Sequence, residues 1–484
     1  MKKIVFLFTG LMIVLGAAAK PKATATTGVS EPAVDRRVEL MTIVARLAGY
    51  PEYQSKFTPA YTDSLDAWFA PYKEHPAVEY MRMMREKTGL SYNAVPIMGV
   101  YLTDPPHLCP RLPLTEMQPE SRWGVKYGTK FIKLLNKFYK EARCEEFFAR
   151  QDSLFTQVEK AFGDVFAELD TEWYARFFGT KVEGGMIPIV GMAFGGANYG
   201  GHIVYPDSTV DQYAFMGSWW MKHGGQPLFN RTGFLNTIVH EFSHSYVNPI
   251  LEGDLRLEIP KQKLFELEAD HMRNAAYPDG CTVLNETFVR AAVIRYLMDH
   301  KADSATIARE IWEQIDRHFV WMPEAVELLG EYEADREKYP DFRSFTPRIA
   351  EFCNETAAQI DTIRARRAAE KERMKANALH VIAIEPFGNG AQDVDPKLTE
   401  ITIRFDKPLV GRGYAFNAGP GGEATLFKFD VKNYSKDKTA LTLAVELEPN
   451  HEYELVVLHG LSFVTPEGIH MLEDYLVKFR TRAE

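Results

Sequence analysis

The residues whose types and spacing could do chemistry stand together at His240-Glu241-Phe242-Ser243-His244. Positions i and i+4 of a helix share one face, so His240 and His244 can turn both imidazoles toward a single tetrahedral zinc ion. Glu241 lies beside them, placed to take a proton from a water activated by that ion and pass it to a leaving amine. A chain with 13 histidines would spell this pattern by accident in about a few per cent of cases. The flanks count against accident: Thr237-Ile238-Val239 before the motif and Ser245-Tyr246 after it are uncharged. Two histidines and a glutamate in so apolar a helix are costly to bury without a ligand. The plainer alternative is a solvated amphipathic helix.

Two histidines need a third ligand, and no His-x-x-Gly-x-x-His continuation follows them. Two glutamates further along could serve. Glu266 heads Glu266-Leu267-Glu268-Ala269-Asp270 with an E-x-x-x-D spacing, but it lies among dense charge that reads as a half-exposed helix. Glu286 begins a segment in which Phe288, Val289, Ala291, Ala292, Val293, Ile294, Tyr296 and Leu297 are apolar on nearly every side, so that helix should run through the core. A carboxylate near its start is expensive unless it meets a cation, which favours Glu286; Arg290, one turn later, could hold its second oxygen. His75, His202 and His271 stand alone and read as ordinary surface or core histidines.

Around these residues the pattern is mostly helical. Helical periodicity begins near Arg36 and continues through 61–89, 124–147, 152–169, 233–248, 261–277, 285–300, 304–317 and 322–337. Met186 to Ala193 is a short apolar run and Gln212 to Trp220 a second, both read as strands. The first leads into the Asn198-Tyr199 loop, where Gly195, Gly196, Gly200 and Gly201 would allow a tight turn. Residues 346–378 are highly charged and read as a solvated helical linker. From 379 to 484 the period changes to two, as in Ile401, Ile403, Phe405 and in Leu441, Leu443, Val445, with turn residues between the runs; this indicates a β-sandwich of immunoglobulin type.

The segment from about 35 to 350 resembles a domain-of-unknown-function family of exported bacterial proteins regarded as glutamate-type zincin peptidases. His75-Pro76-Ala77-Val78, Asn198-Tyr199-Gly200, Val239 to Pro249, and Asn285-Glu286 through Arg290-Ala291 carry the resemblance. It implies a zinc-dependent peptidase fold, in which a strand near the active-site helix pairs with an extended peptide substrate. The Met186 to Ala193 strand and its Asn198-Tyr199 loop are the candidate edge, with Asn198 and Tyr199 the candidate binding residues; the alternative is that the glycines around them only form a turn. Arg290 stands where better-known relatives often carry an Asp that orients a zinc-bound histidine, so that role is unassigned. The C-terminal stretch resembles bacterial Ig-like domains of surface-layer proteins, through Asp395-Pro396, Ile401 to Asp406, Leu447 to Asn450 and Phe479-Arg480-Thr481. The expected fold class is therefore α+β: a mainly helical, zincin-like domain with a small mixed sheet over 35–345, followed by an all-β Ig-like sandwich over 379–484.

The whole chain sets outer bounds. Its 484 residues suffice for two or three domains, and a formal charge of −10 leaves no basic surplus for a nucleic-acid partner. Lys2-Lys3, the apolar run Ile4 to Leu15 and Ala17-Ala18-Ala19 read as a signal peptide cleaved after Ala19, giving a periplasmic or extracellular product. Residues 20–34 read as a flexible leader, and no later stretch is long and apolar enough to span a membrane. Cys109, Cys144, Cys281 and Cys353 could form one or two disulfides or remain free. The expected function is an exported Zn2+-dependent peptidase with a peptide or protein substrate. Two alternatives stand: hydrolysis of a non-peptide amide, and a cell-surface binding protein whose Ig-like module meets a surface ligand while the zinc site is structural or vestigial. Glu241 counts against the latter, because a structural site has no need of a base.

Overall fold

A computed structural model describes residues 25–181, 183–221, 225–229 and 231–483. The fold is mixed α+β, with two compact units, one ending at Ala358 and the other running Gln359–Glu484. The signal-peptide segment 1–19 lies outside the described residues.

Part of the expected leader is instead a strand. β1 (Gly28–Val29) pairs in parallel with residues 185–186, and the Thr26 amide donates to Asp211 Oδ1 at 2.7 Å. The Asp35 side chain then accepts from the amides of Arg37 and Val38 and opens α1 (Arg36–Leu47). The helix expected over 61–89 is two, α2 (Pro59–Phe69) and α3 (Pro76–Thr88). Pro71 and Pro76 cannot continue a helical ladder, and His75 Nδ1 caps α3 by accepting from the Ala77 amide. α4 (Ala94–Tyr101), buried along its whole length and too apolar to show a helical face, was not expected. α5 (Val125–Glu141), α6 (Cys144–Phe166) and α7 (Trp173–Phe178) follow.

β2 (Gly185–Val190), β3 (Asn198–Val204) and β4 (Val210–Met216) complete a four-stranded sheet in the order β1-β2-β4-β3. β2 is parallel to both its neighbours, whereas β3 is antiparallel to β4 with Gly200 opposite Ala214. β2 is therefore interior, in keeping with its continuous apolar run, and the sheet ends in β1 on one side and β3 on the other. This corrects the assignment of the Met186 to Ala193 run as the edge. β5 (Trp220–Met221) and β6 (Pro227–Leu228) form a short ribbon before the long helix α8 (Arg231–Glu252).

The helix expected over 261–277 is interrupted at Leu267-Glu268, giving α9 (Glu258–Glu266) and α10 (Ala269–Asn274). Asp279 caps α11 (Gly280–Asp299), which is buried from Val283 to Ile294. A methyl group on Gly280 would lie 2.6 Å from the Lys261 carbonyl oxygen, so only glycine lets α11 start this close to α9. α12 (Ser304–Asp316) and α13 (Met322–Ala334) precede α14 (Thr346–Asn377). The charged segment is thus one helix, but not wholly solvated: Ile349, Phe352 and Cys353 are buried, and Phe352 meets Phe288 of α11. All four cysteines are free thiols. No helix among the described residues is long and apolar enough to cross a membrane.

The second unit contains β7 (Val381–Glu385), β8 (Glu400–Phe405), β9 (Phe416–Ala418), β10 (Lys428–Tyr434), β11 (Ala440–Glu446), β12 (Glu452–Val457), β13 (Gly460–Val464), β14 (His470–Met471) and β15 (Tyr475–Arg480). Two antiparallel sheets, β10-β11-β8-β7 and β15-β12-β9, share one core. Ile401, Ile403 and Phe405 enter it from one sheet, Tyr453, Leu455 and Val457 from the other, as the period of two requires. Every residue of that core lies at Leu379 or later. Residues 379–484 expressed alone should therefore unfold in one cooperative thermal transition with a β-type circular dichroism spectrum. A chain without a transition would show that this core depends on the first unit.

Candidate metal centre

α8 and α11 pack against each other, and β3 and β4 lie on α8. That arrangement brings His240 and His244 from one helix to Glu286 from the other. His240 Nε2 is 3.1 Å from His244 Nε2 and 3.7 Å from Glu286 Oε2; His244 Nε2 is 3.5 Å from Glu286 Oε1. Donors about 2.0–2.1 Å from one tetrahedral ion stand about 3.4 Å apart, so these separations match the donor spacing around zinc. The side chains of His240, His244 and Glu286 retain 17, 19 and 12% exposure. Glu266 is elsewhere: it is exposed and accepts from Gln262 Nε2 at 3.3 Å.

The electrostatics suit cation ligands. Burial holds the His240 imidazole well below its ordinary pKa, so the ring is neutral and carries a lone pair. Burial alone would raise the Glu286 carboxyl, but the Arg290 guanidinium beside it outweighs burial and holds it below the ordinary carboxylate range. Arg290 reaches Glu286 Oε2 at 2.7 Å, the i,i+4 contact anticipated from the sequence. It also donates to Gln314 Oε1 at 2.6 Å and to the Tyr277 hydroxyl at 2.8 Å. Gln314 in turn donates to Glu310, which accepts from Asn236 of α8. A network that is buried at Arg290 and Gln314 and half-buried at Glu310 and Asn236 thus ties α8, α11 and α12 together behind Glu286.

Sequence reasoning missed Asn248. Its Oδ1 lies 3.0 Å from His244 Nδ1, and an amide oxygen there requires the proton on Nδ1, which leaves the Nε2 lone pair facing Glu286. The signal was present, since Asn248 is four residues beyond His244 on the same helix face. Asn248→Ala should weaken zinc binding about 10–100-fold without unfolding the chain. Competition against a chromophoric chelator measures this, and unchanged affinity would remove Asn248 from the site.

Glu241 is buried, at 6% exposure. Burial, reinforced by Glu286, pushes its carboxyl up to about 8 against the opposing pull of Arg290 and the Gly200 amide. The strand that meets it is β3. A methyl group on Gly200 would lie 3.0 Å from the Glu241 carbonyl oxygen, 3.3 Å from Glu241 Oε2 and 3.5 Å from His244 Cβ, so glycine permits this approach. Asn198 and Tyr199, the residues expected to contact substrate, lie at the start of β3. Asn198 Oδ1 accepts the amides of Gly217 and Ser218, and Tyr199 is buried beside Phe194. A separate cavity of about 790 Å³, lined in part by Asp35, Arg37, Arg111 and Tyr213, includes none of these residues. Arg37 there is paired with Asp35, and Arg111 donates to Tyr205.

Residues 126–352 match the family model described as Domain of unknown function (DUF4932). The DUF4932 region runs from the start of α5 into α14 and includes α8, α11, Asn248, Arg290 and β3; α1 to α4 lie before it. No curated protein matches the chain. Among solved structures, the chain is similar to the S-layer protein rSbsC(31-844), at 13% identity over 52% of this chain and 34% of that one, with a TM-score of 0.16. It is likewise similar to domains 1-6 of surface layer protein SbsC, at 13% identity over 51% and 33%, again with a TM-score of 0.16. The chain thus covers about a third of each. At that score the likeness carries no argument about fold or function.

Proposed function

We propose that the chain is an exported zinc-dependent peptidase. The observation that carries this reading is the convergence of His240, His244 and Glu286, whose ligating atoms lie within 4.8 Å of one another, beside the buried carboxyl of Glu241. A helix-borne histidine pair, a glutamate from the next core helix and an adjoining edge strand support the glutamate-type zincin arrangement. Antiparallel sheets around one core support an Ig-like module in the C-terminal unit. Export rests on the N-terminal sequence alone.

In this reading His240, His244 and Glu286 hold zinc, which when bound supplies Lewis-acid polarisation of a carbonyl and of water. The chain's own residues do the rest. Asn248 orients His244, and Arg290 keeps Glu286 ionised and aimed. Glu241 accepts a proton at its carboxylate and returns it to the departing amine nitrogen. Among the described residues β3 ends its sheet, so backbone pairing on its outer side would lay an extended peptide beside Glu241, where Gly200 adds no side chain to obstruct it and gives its own amide to the Glu241 carboxylate. Digestion of a peptide library by the full chain tests the proposal. Cleavage should stop with chelator and return with zinc. Chelator-resistant cleavage, or hydrolysis confined to non-peptide amides, overturns it.

A further inference from the structure

We infer a second site for a first-row divalent transition cation, formed by Glu268, His271 and His318. The inference stands independently of the function proposed for His240 and His244. None of the three residues takes part in that centre, yet their ligating atoms also lie within 4.8 Å of one another. Glu268 precedes α10, His271 lies within it, and His318 follows α12. Glu268 and His271 are thus one helical turn apart, and the third group arrives from a different element.

The donor chemistry suits such an ion, and so does the spacing of Glu268 and His318. Two borderline imidazole nitrogens with one hard carboxylate oxygen suit zinc, cobalt or nickel, with water completing the shell. His318 Nδ1 is 3.6 Å from Glu268 Oε2, close to the spacing of about 3.4 Å between donors on one tetrahedral ion. His271 is not yet in position. Its ring is stacked on that of His318, with centroids 3.6 Å apart and an angle of 11° between the planes. Parallel rings cannot both direct an in-plane lone pair at one ion, so ligation requires the His271 ring to turn. It is exposed on α10, so turning gives up the stack on His318 and moves the ring within solvent.

The other two groups are held by the fold. Glu268 is 8% exposed, and its carbonyl accepts the Met272 amide at the start of α10. His318 has φ +68°, with its amide bonded to Ile315 and the Phe319 amide to Gln314. These two bonds form a closed helix-terminating turn, a place glycine or asparagine ordinarily fills, which fixes where the imidazole starts. The next residue, Phe319, lies under the Arg290 guanidinium at 5.0 Å. An ion on His318 would therefore clamp the turn that supports Arg290.

Metal counting on the full chain tests this inference, with zinc(II) or cobalt(II) as the only probe and equilibrium dialysis followed by elemental analysis. The unsubstituted chain should bind two equivalents. His318→Asn, which suits the left-handed backbone, and His271→Ala, at an exposed position, should each lose one equivalent and keep the fold. His240→Asn should lose the other. Counts unchanged in both His318→Asn and His271→Ala overturn the second site, as does a single equivalent that His240→Asn removes. If His240→Asn changes nothing while His318→Asn lowers the count by one, the second site stands and the peptidase centre falls.

Discussion

Glu241→Gln should lower peptide hydrolysis by about 10²–10⁴-fold while leaving the zinc content and the melting temperature close to those of the unsubstituted chain. The amide copies the shape of the carboxyl and can still accept a hydrogen bond, but it cannot take a proton. Folding should tolerate the change because the side chain is buried and its carboxyl, pushed up to about 8, is easily neutralised in the cation-free protein. A divalent ion beside it reverses that tendency: positive charge favours the carboxylate and draws it back into the range of a working base. The variant therefore separates ligand from base, since only the base function is lost. Steady-state kinetics on a cleaved peptide, with zinc measured on the same sample, makes the test. Turnover within a few-fold of the original chain would eliminate Glu241 as the base.

The parts of the site that could be read in the sequence depend on local helical geometry. His240 and His244 share a face because they are four residues apart. Glu286 stood out because α11 is apolar on nearly every side, which makes any carboxylate in it conspicuous. Arg290 was legible as its i,i+4 partner. Asn248 was equally accessible but lies at the end of the motif helix, where the residue before a proline reads as a terminus. What could not be read is what depends on pairing across distance. β2 is interior because residues 28–29 cover its far side, a parallel contact that no local pattern announces. His271 looked solitary because His318 reaches it from the end of another helix. Arg290's contacts to Tyr277 and Gln314 come from separate elements in the same way. In the C-terminal unit, by contrast, strand period alone identified the inward residues, since alternation is a property of each strand by itself.

Glu286→Gln and Glu266→Ala should differ most in zinc affinity. Glu286 lies within 3.5–3.7 Å of both histidines, and its substitution removes the anionic donor. The expected loss exceeds about 100-fold, beyond the 10–100-fold typical of groups that only orient a ligand. Glutamine is the sharper substitution because alanine would also leave Arg290, at 8% exposure, without its carboxylate. Breaking a buried pair in that way costs about 3–5 kcal/mol, although Gln314 and Tyr277 would still accept from the guanidinium. Glutamine keeps an oxygen for Arg290 and so holds the fold while weakening the site. Glu266→Ala, on the exposed side of α9, removes one long contact with Gln262 and should change stability by no more than about 0.5 kcal/mol, with zinc bound as before. The E-x-x-x-D spacing at Glu266 is real in sequence, but α9 ends at that residue and Asp270 belongs to the next helix, so the two do not share a continuous helix face. Zinc titrations of the two variants decide the matter: affinity lost in Glu266→Ala and kept in Glu286→Gln would move the third ligand to α9.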